Sequence, residues 1–173
     1  MEVFGSNQLI FGGDESDLID ASIGSEGGNR IYGGSGDDTF ILGSGDSFAR
    51  SFGDRIIGGE GDDKFFVMSG GDNIITGGAG ADQFWIATAE IPDAANIITD
   101  FTLGEDVLGI AGLSIGFDVI LFDFILDEEG IGFDDLSITQ QEDNTLIAVN
   151  GSDLAILQGI VATSLSEDNF AFA

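Results

Sequence analysis

GGSGDDTFI, residues 33–41, returns as GGEGDDKFF at 58–66 and as GGAGADQFW at 77–85, and a looser form, GGDESDLID, stands at 12–20. These segments fit nine positions, G-G-x-G-x-D-x-U-x, with U a large apolar residue. The sixth position is then Asp17, Asp38, Asp63 and Asp82, and the eighth is Ile19, Phe40, Phe65 and Phe84. Weaker copies in the same register lie between them at 2–10, 24–32, 49–57 and 67–75. They carry Asn7, Asn29, Asp54 and Asp72 in the sixth position and Leu9, Ile31, Ile56 and Ile74 in the eighth.

The polar-apolar step around position eight is the two-residue period of a short strand. The glycine-rich stretch before it is a turn that needs unusual backbone angles. Each copy therefore reads as one turn plus one strand, and two copies make one coil of a parallel solenoid. Strong copies are expected to stack over strong copies on one edge and weak over weak on the other. The fold class expected is all-β, a parallel β-roll over residues 1–88 followed by a cap of short antiparallel strands over 89–173.

Stacked coils repeat at about 4.8 Å, which spaces the sixth-position carboxylates at that interval. Calcium takes six to eight oxygens at about 2.3–2.6 Å, so an ion between two turns would meet a carboxylate from each, with bare glycine carbonyls completing the shell. Without a cation, carboxylates about 5 Å apart repel by roughly 3 kcal/mol per pair at an effective dielectric near 20. Calcium-coupled folding is the expectation. The candidate ligand turns are Gly12, Asp14 and Asp17; Gly33, Gly34, Ser35, Gly36 and Asp38; Gly58, Gly59, Glu60, Gly61 and Asp63; and Gly77, Gly78, Ala79, Gly80 and Asp82. Asn29, Asp54 and Asp72 are the candidates on the weak edge. Glu15 stands where the first strong copy should have its third glycine, which weakens that site, so about three sites are expected on the strong edge and few on the weak one.

Composition narrows the partners. Thirty-two acids against four basic residues leave a formal charge of −28. Nucleic acid and anionic membranes are thereby disfavoured, and cations are favoured. The chain has no cysteine and no histidine, which excludes thiolate metal sites and a Ser-His-Asp triad. No stretch has the length of a membrane span, and the amino terminus lacks the basic segment and apolar run of a signal peptide. Residues 89–173 contain 17 acids and no basic residue. Within them LSITQ, TLIAVN and DLAILQG alternate with turn residues as short antiparallel strands would. DFTLGED reads as a tight turn, with an ion site through Asp100 and Asp106 as the alternative.

The nonapeptides resemble the RTX repeats of hemolysin-type calcium-binding proteins. That resemblance implies a calcium-loaded β-roll, a carboxy-terminal β cap and an uncleaved signal for type I secretion. The ending SEDNFAFA is similar to that signal, with Asp168, Phe170 and Phe172 matching. The resemblance further implies an extracellular, non-catalytic module with the type I secretion machinery as partner. Three alternatives stay open: a carbohydrate-binding accessory module of the alginate-epimerase type, a calcium-dependent enzyme, and a fragment of a larger RTX toxin, protease or adhesin. The HExxH motif of serralysin-type proteases is absent. The apolar ninth positions, with Tyr32, Phe66 and Trp85 the largest, are expected to pack against the carboxy-terminal segment, with a partner surface as the alternative; a glycan ligand and self-association stay open for the chain as a whole.

Overall fold

A computed structural model describes residues 1–22, 25–43, 53–86, 92–111 and 131–173. In chain order the strands are β1 (Gly5–Ser6), β2 (Leu9–Gly13), β3 (Leu18–Ala21), β4 (Ser25–Gly27), β5 (Arg30–Ser35), β6 (Thr39–Leu42), β7 (Arg55–Glu60) and β8 (Lys64–Val67). They continue with β9 (Ile74–Ala79), β10 (Gln83–Ile86), β11 (Asn96–Ile98), β12 (Val107–Ile110), β13 (Leu136–Gln141), β14 (Asn144–Val149), β15 (Ser152–Leu157) and β16 (Phe170–Phe172). Among the described residues the helical elements are three single 3-10 turns.

Strong and weak copies separate into two facing sheets. The strong sheet runs β16-β12-β10-β8-β6-β3 and is parallel throughout. The weak sheet runs β13-β14-β15-β11-β9-β7-β5-β2, parallel up to β15 and antiparallel from there through β14 to β13. The chain is a parallel β-roll with an antiparallel β cap. Both sheets cross residue 88, since β11 and β12 form one further coil outside the nonapeptides. The LSITQ, TLIAVN and DLAILQG segments become β13, β14 and β15. The segment LGSGDSF at 42–48, which breaks the nonapeptide register as an insertion between copies 33–41 and 49–57, lies beyond Gly43 outside the described residues, as does the apolar run DVILFDFIL at 118–126.

Alternation places the eighth positions in the core. Ile19, Phe40, Phe65, Phe84 and Leu108 form one buried column, and Ile31, Ile56, Ile75 and Ile98 face it. The rings of Phe40, Phe65 and Phe84 lie parallel at 4.8 and 5.1 Å, because in-register parallel strands put identical positions one strand spacing apart.

Two weak copies are corrected by one residue. Ile10, not Leu9, pairs with Ile31, and Ile75, not Ile74, pairs with Ile56. Leu9–Ile10 and Ile74–Ile75 are adjacent apolar pairs, so an apolar eighth position fits either register; the hydrogen-bonded ladder decides, and Leu9 is left 61% exposed. The sixth positions of these copies are therefore Gln8 and Asn73 rather than Asn7 and Asp72. Asn7 and Asp72 instead take left-handed backbone angles (φ 56° and 58°) in the preceding turns.

The outward ninth positions Ile41, Phe66 and Trp85 are half-buried in the strong sheet, and the Trp85 ring lies over the Cα of Gly109. The described carboxy-terminal strands add to the sheet edges rather than lying across this row: β16 pairs with β12, and β15 with β11.

Candidate metal centre

The four strong aspartates form a single ladder that reaches one member beyond the repeats. The backbone N–H groups of Asp17, Asp38, Asp63 and Asp82 donate to Oδ1 of Asp38, Asp63, Asp82 and Asp106 respectively, at 2.8–3.0 Å. Asp38, Asp63, Asp82 and Asp106 are buried, while Asp17, in the first strong copy, is half-exposed. A second ladder on the rim runs the other way at position five: Asp62 N–H donates to Asp37 Oδ1, and Ala81 N–H to Asp62 Oδ1. Thus each coil is tied to both neighbours through aspartate oxygens.

At two rungs one oxygen remains. Oδ2 of Asp38 and of Asp63 is buried with no hydrogen-bond partner. Each turns toward the first glycine of its own turn, and the carbonyl of the next coil's first glycine turns toward the same space. A methyl group built on Gly58 would lie 2.0 Å from Asp63 Oδ2 and 2.5 Å from the Gly77 carbonyl oxygen. On Gly33 it would lie 2.0 Å from Asp38 Oδ2 and 2.7 Å from the Gly58 carbonyl, and on Gly12 2.6 Å from Asp17 Oδ2 and 2.7 Å from the Gly33 carbonyl. Two acceptors converge there with no donor between them. A buried carboxylate oxygen in that position requires a proton or a cation.

The other glycines keep the coils close. Gly59 (φ 130°) and Gly61 (φ 125°) have left-handed angles, and a side chain on either would run into the Gly34 or Gly36 carbonyl of the coil before it. Of the third-position candidates, Ser35, Glu60 and Ala79 sit in register; the Glu60 carbonyl accepts from Gly36 N–H and that of Ala79 from Gly61 N–H. Asp14 is exposed. Among the described residues no three acidic side chains converge, so any ion shell here draws on backbone carbonyls.

Electrostatics agree with the geometry. Burial, followed by the neighbouring Asp82 and Asp38 charges, pushes Asp63 up to about 7. Burial, followed by Asp106, Asp100 and Asp62, pushes Asp82 up to about 6. Asp38 and Asp106 are raised for the same leading reason. The amide bonds donated by the neighbouring coils lower these values but do not offset desolvation.

The column ends at Gly77. Asp100 accepts the Gly77 and Gly78 N–H groups with its two oxygens at 2.9 Å each, and Asp106 Oδ2 accepts from Thr102 N–H at 2.8 Å. DFTLGED is the tight turn expected, and both oxygens of Asp100 and of Asp106 accept backbone amides. Asp106 is the ladder member that the nonapeptide pattern misses, since only its pairing with Asp82 identifies it.

On the weak edge the sixth positions form their own ladder. Gln8 N–H donates to Asn29 Oδ1, Asn29 N–H to Asp54 Oδ1, and Asp54 N–H to Asn73 Oδ1. Asp72 lies outside it, exposed.

A two-sided parallel roll with two buried, unpartnered carboxylate oxygens along one edge fits a metal-binding repeat. Residues 20–49 and 69–85 match the model of the RTX calcium-binding nonapeptide repeat, so the chain carries RTX nonapeptides, which are calcium-binding motifs. No curated protein matches the chain. Among solved structures, it is similar to the extracellular lipase LipA from Serratia marcescens, at 20% identity and a TM-score of 0.39. That match covers 94% of this chain and 20% of the lipase, so the chain spans about a fifth of that protein. It is also similar to the AlgE6R2 subunit of the Azotobacter vinelandii mannuronan C5-epimerase, at 24% identity and a TM-score of 0.37, covering 96% of this chain and 94% of that one.

Proposed function

We propose that this chain is a secreted, non-catalytic RTX module whose folding is driven by extracellular calcium. The observation that carries the reading is the pair of buried, unpartnered oxygens Asp38 Oδ2 and Asp63 Oδ2, each facing a glycine carbonyl of the next coil. Calcium supplies the positive charge and the oxygen-rich shell that such a pocket calls for. The ligands on this reading are Asp17, Asp38, Asp63 and Asp82, with carbonyls from the turns at 12–14, 33–36, 58–61 and 77–80.

Stacking the coils forces carboxylates into a column, desolvates them and removes water from their second oxygens. At low calcium that cost opposes folding and leaves the chain open for export. At extracellular calcium, in the millimolar range typical of such modules, the coils close. The carboxy-terminal tail fits this order of events, since Phe170 and Phe172 lie in β16 at the end of the strong sheet. On this reading the tail is accessible to a type I exporter only before the roll forms. Residues 1–88 carry the ions, and 89–173 close the roll and hold the tail.

Far-UV circular dichroism of the full chain, titrated with calcium against a magnesium control, tests the proposal. A cooperative gain of β signal with calcium, reversed by chelator and absent with magnesium, is expected. A chain equally folded with and without calcium refutes it.

A further inference from the structure

We infer that the calcium column occupies the strong edge alone, and that the weak edge is a metal-free ladder of side-chain amides running into the carboxy-terminal cap. This rests on the calcium reading above and adds to it which edge holds the ions.

The inference follows from what the two side chains can do. An ionised carboxylate only accepts hydrogen bonds, whereas a carboxamide both donates and accepts. In a stacked ladder each rung receives one backbone N–H from the neighbouring coil. With aspartate on every rung the second oxygen is left over, as it is at Asp38 and Asp63. With asparagine the second atom is an NH₂ that can donate to the next rung.

The weak edge shows this relay. Asn29 donates its side chain as well as its backbone N–H to the Asp54 carboxylate. Asp54 N–H reaches Asn73 Oδ1, and Asn73 Nδ2 donates to Asn96 Oδ1 at 2.8 Å. Asn96 Nδ2 reaches the Leu154 carbonyl in β15 at 3.4 Å. Asn29, Asp54, Asn73 and Asn96 are all at least 94% buried. The one carboxylate in this row, Asp54, sits between two amides, so it has no like-charged neighbour above or below. Gln8, Asn29, Asn73 and Asn96 make the rest of the row neutral.

The test counts bound calcium by native mass spectrometry and isothermal titration on the full chain, comparing wild type, Asp54→Asn and Asp63→Asn. Asp54→Asn is expected to keep the wild-type ion count and a calcium midpoint within about twofold of it, because Asn in that place still accepts Asn29 N–H. Asp63→Asn is expected to lose at least one ion. If Asp54→Asn loses ions as Asp63→Asn does, or cannot fold with calcium, the one-edge assignment is overturned while the calcium reading stands. If wild type binds no calcium, both fall. Should Asp63→Asn fail to fold, wild type against Asp54→Asn decides alone. Asn73→Asp gives an independent check, since placing a second acceptor-only rung beside Asp54 should raise the calcium needed for folding at least several-fold; an unchanged midpoint counts against the amide relay.

Discussion

Adding one methyl group to Gly58 tests the metal seat directly. Its Cβ would stand 2.0 Å from Asp63 Oδ2, 2.5 Å from the Gly77 carbonyl oxygen and 2.8 Å from the Asp63 carboxyl carbon. Ordinary carbon–oxygen contact begins more than 1 Å farther out, so the carboxylate or the coil must move. The backbone at 77 is held by Asp100, and the Asp63 carboxylate is held through its Oδ1 by Asp38 N–H, so neither yields freely. Overpacking of this kind costs about 1–3 kcal/mol. If one ion is taken up in the folding step, that raises the calcium midpoint roughly 5- to 160-fold, or by the square root of those factors if two ions are taken up together. Gly132→Ala is the control. Its backbone is extended (φ −121°), its nearest neighbour stands 4.0 Å away, and its effect should stay within about 0.5 kcal/mol. The readout is the calcium midpoint by circular dichroism. A Gly58→Ala chain that folds at the wild-type calcium concentration would falsify the placement of the ion seat between Asp63 and Gly77.

Acid should partly replace calcium. Asp63 and Asp82 are raised to about 7 and about 6 in the folded chain, so between roughly pH 4 and 7 the fold holds protons that the unfolded chain has released, and the metal-free fold loses stability as pH rises through that window. The metal-free chain should therefore gain β signal on going from pH 8 to pH 5, and calcium should bind more weakly at pH 5; equal disorder at both values removes the premise. Phe65→Ala empties the middle of the stacked Phe40–Phe65–Phe84 column and should cost about 3–5 kcal/mol, read as a higher calcium requirement or failure to fold. Asp100→Ala releases the Gly77 and Gly78 amides and should cost about 1–2 kcal/mol, with hydrogen exchange speeding up first at those two amides; unchanged exchange there would show that Asp100 does not close the column.

Much of this molecule was legible before any coordinates, because the nonapeptide is a local code. Glycine in the second and fourth positions states where the backbone must turn or be approached closely, and a large apolar residue in the eighth states which way the strand faces. Four repetitions with an intervening weaker set are enough to imply a two-sided coil, strong over strong. The aspartates of the strong edge belong to the same code, and a charge of −28 with no histidine or cysteine narrows the ion to one that oxygen ligands hold.

What escaped the sequence is whatever depends on one coil meeting another. The register of copies 2–10 and 67–75 is ambiguous by one residue as long as Leu9–Ile10 and Ile74–Ile75 are read alone, and only pairing with Ile31 and Ile56 settles it. Asp106 has no glycine turn to announce it and enters the column through a single bond from Asp82 N–H. The unequal edges are already written in the sequence, but the partners of each sixth-position side chain are tertiary. Asn29 and Asp38 look like variants of one sixth position in the sequence, yet stacking decides which neighbours each meets. An amide meeting an amide passes its hydrogen bond along, and a carboxylate meeting a carboxylate is left with an oxygen that only a proton or a cation can satisfy.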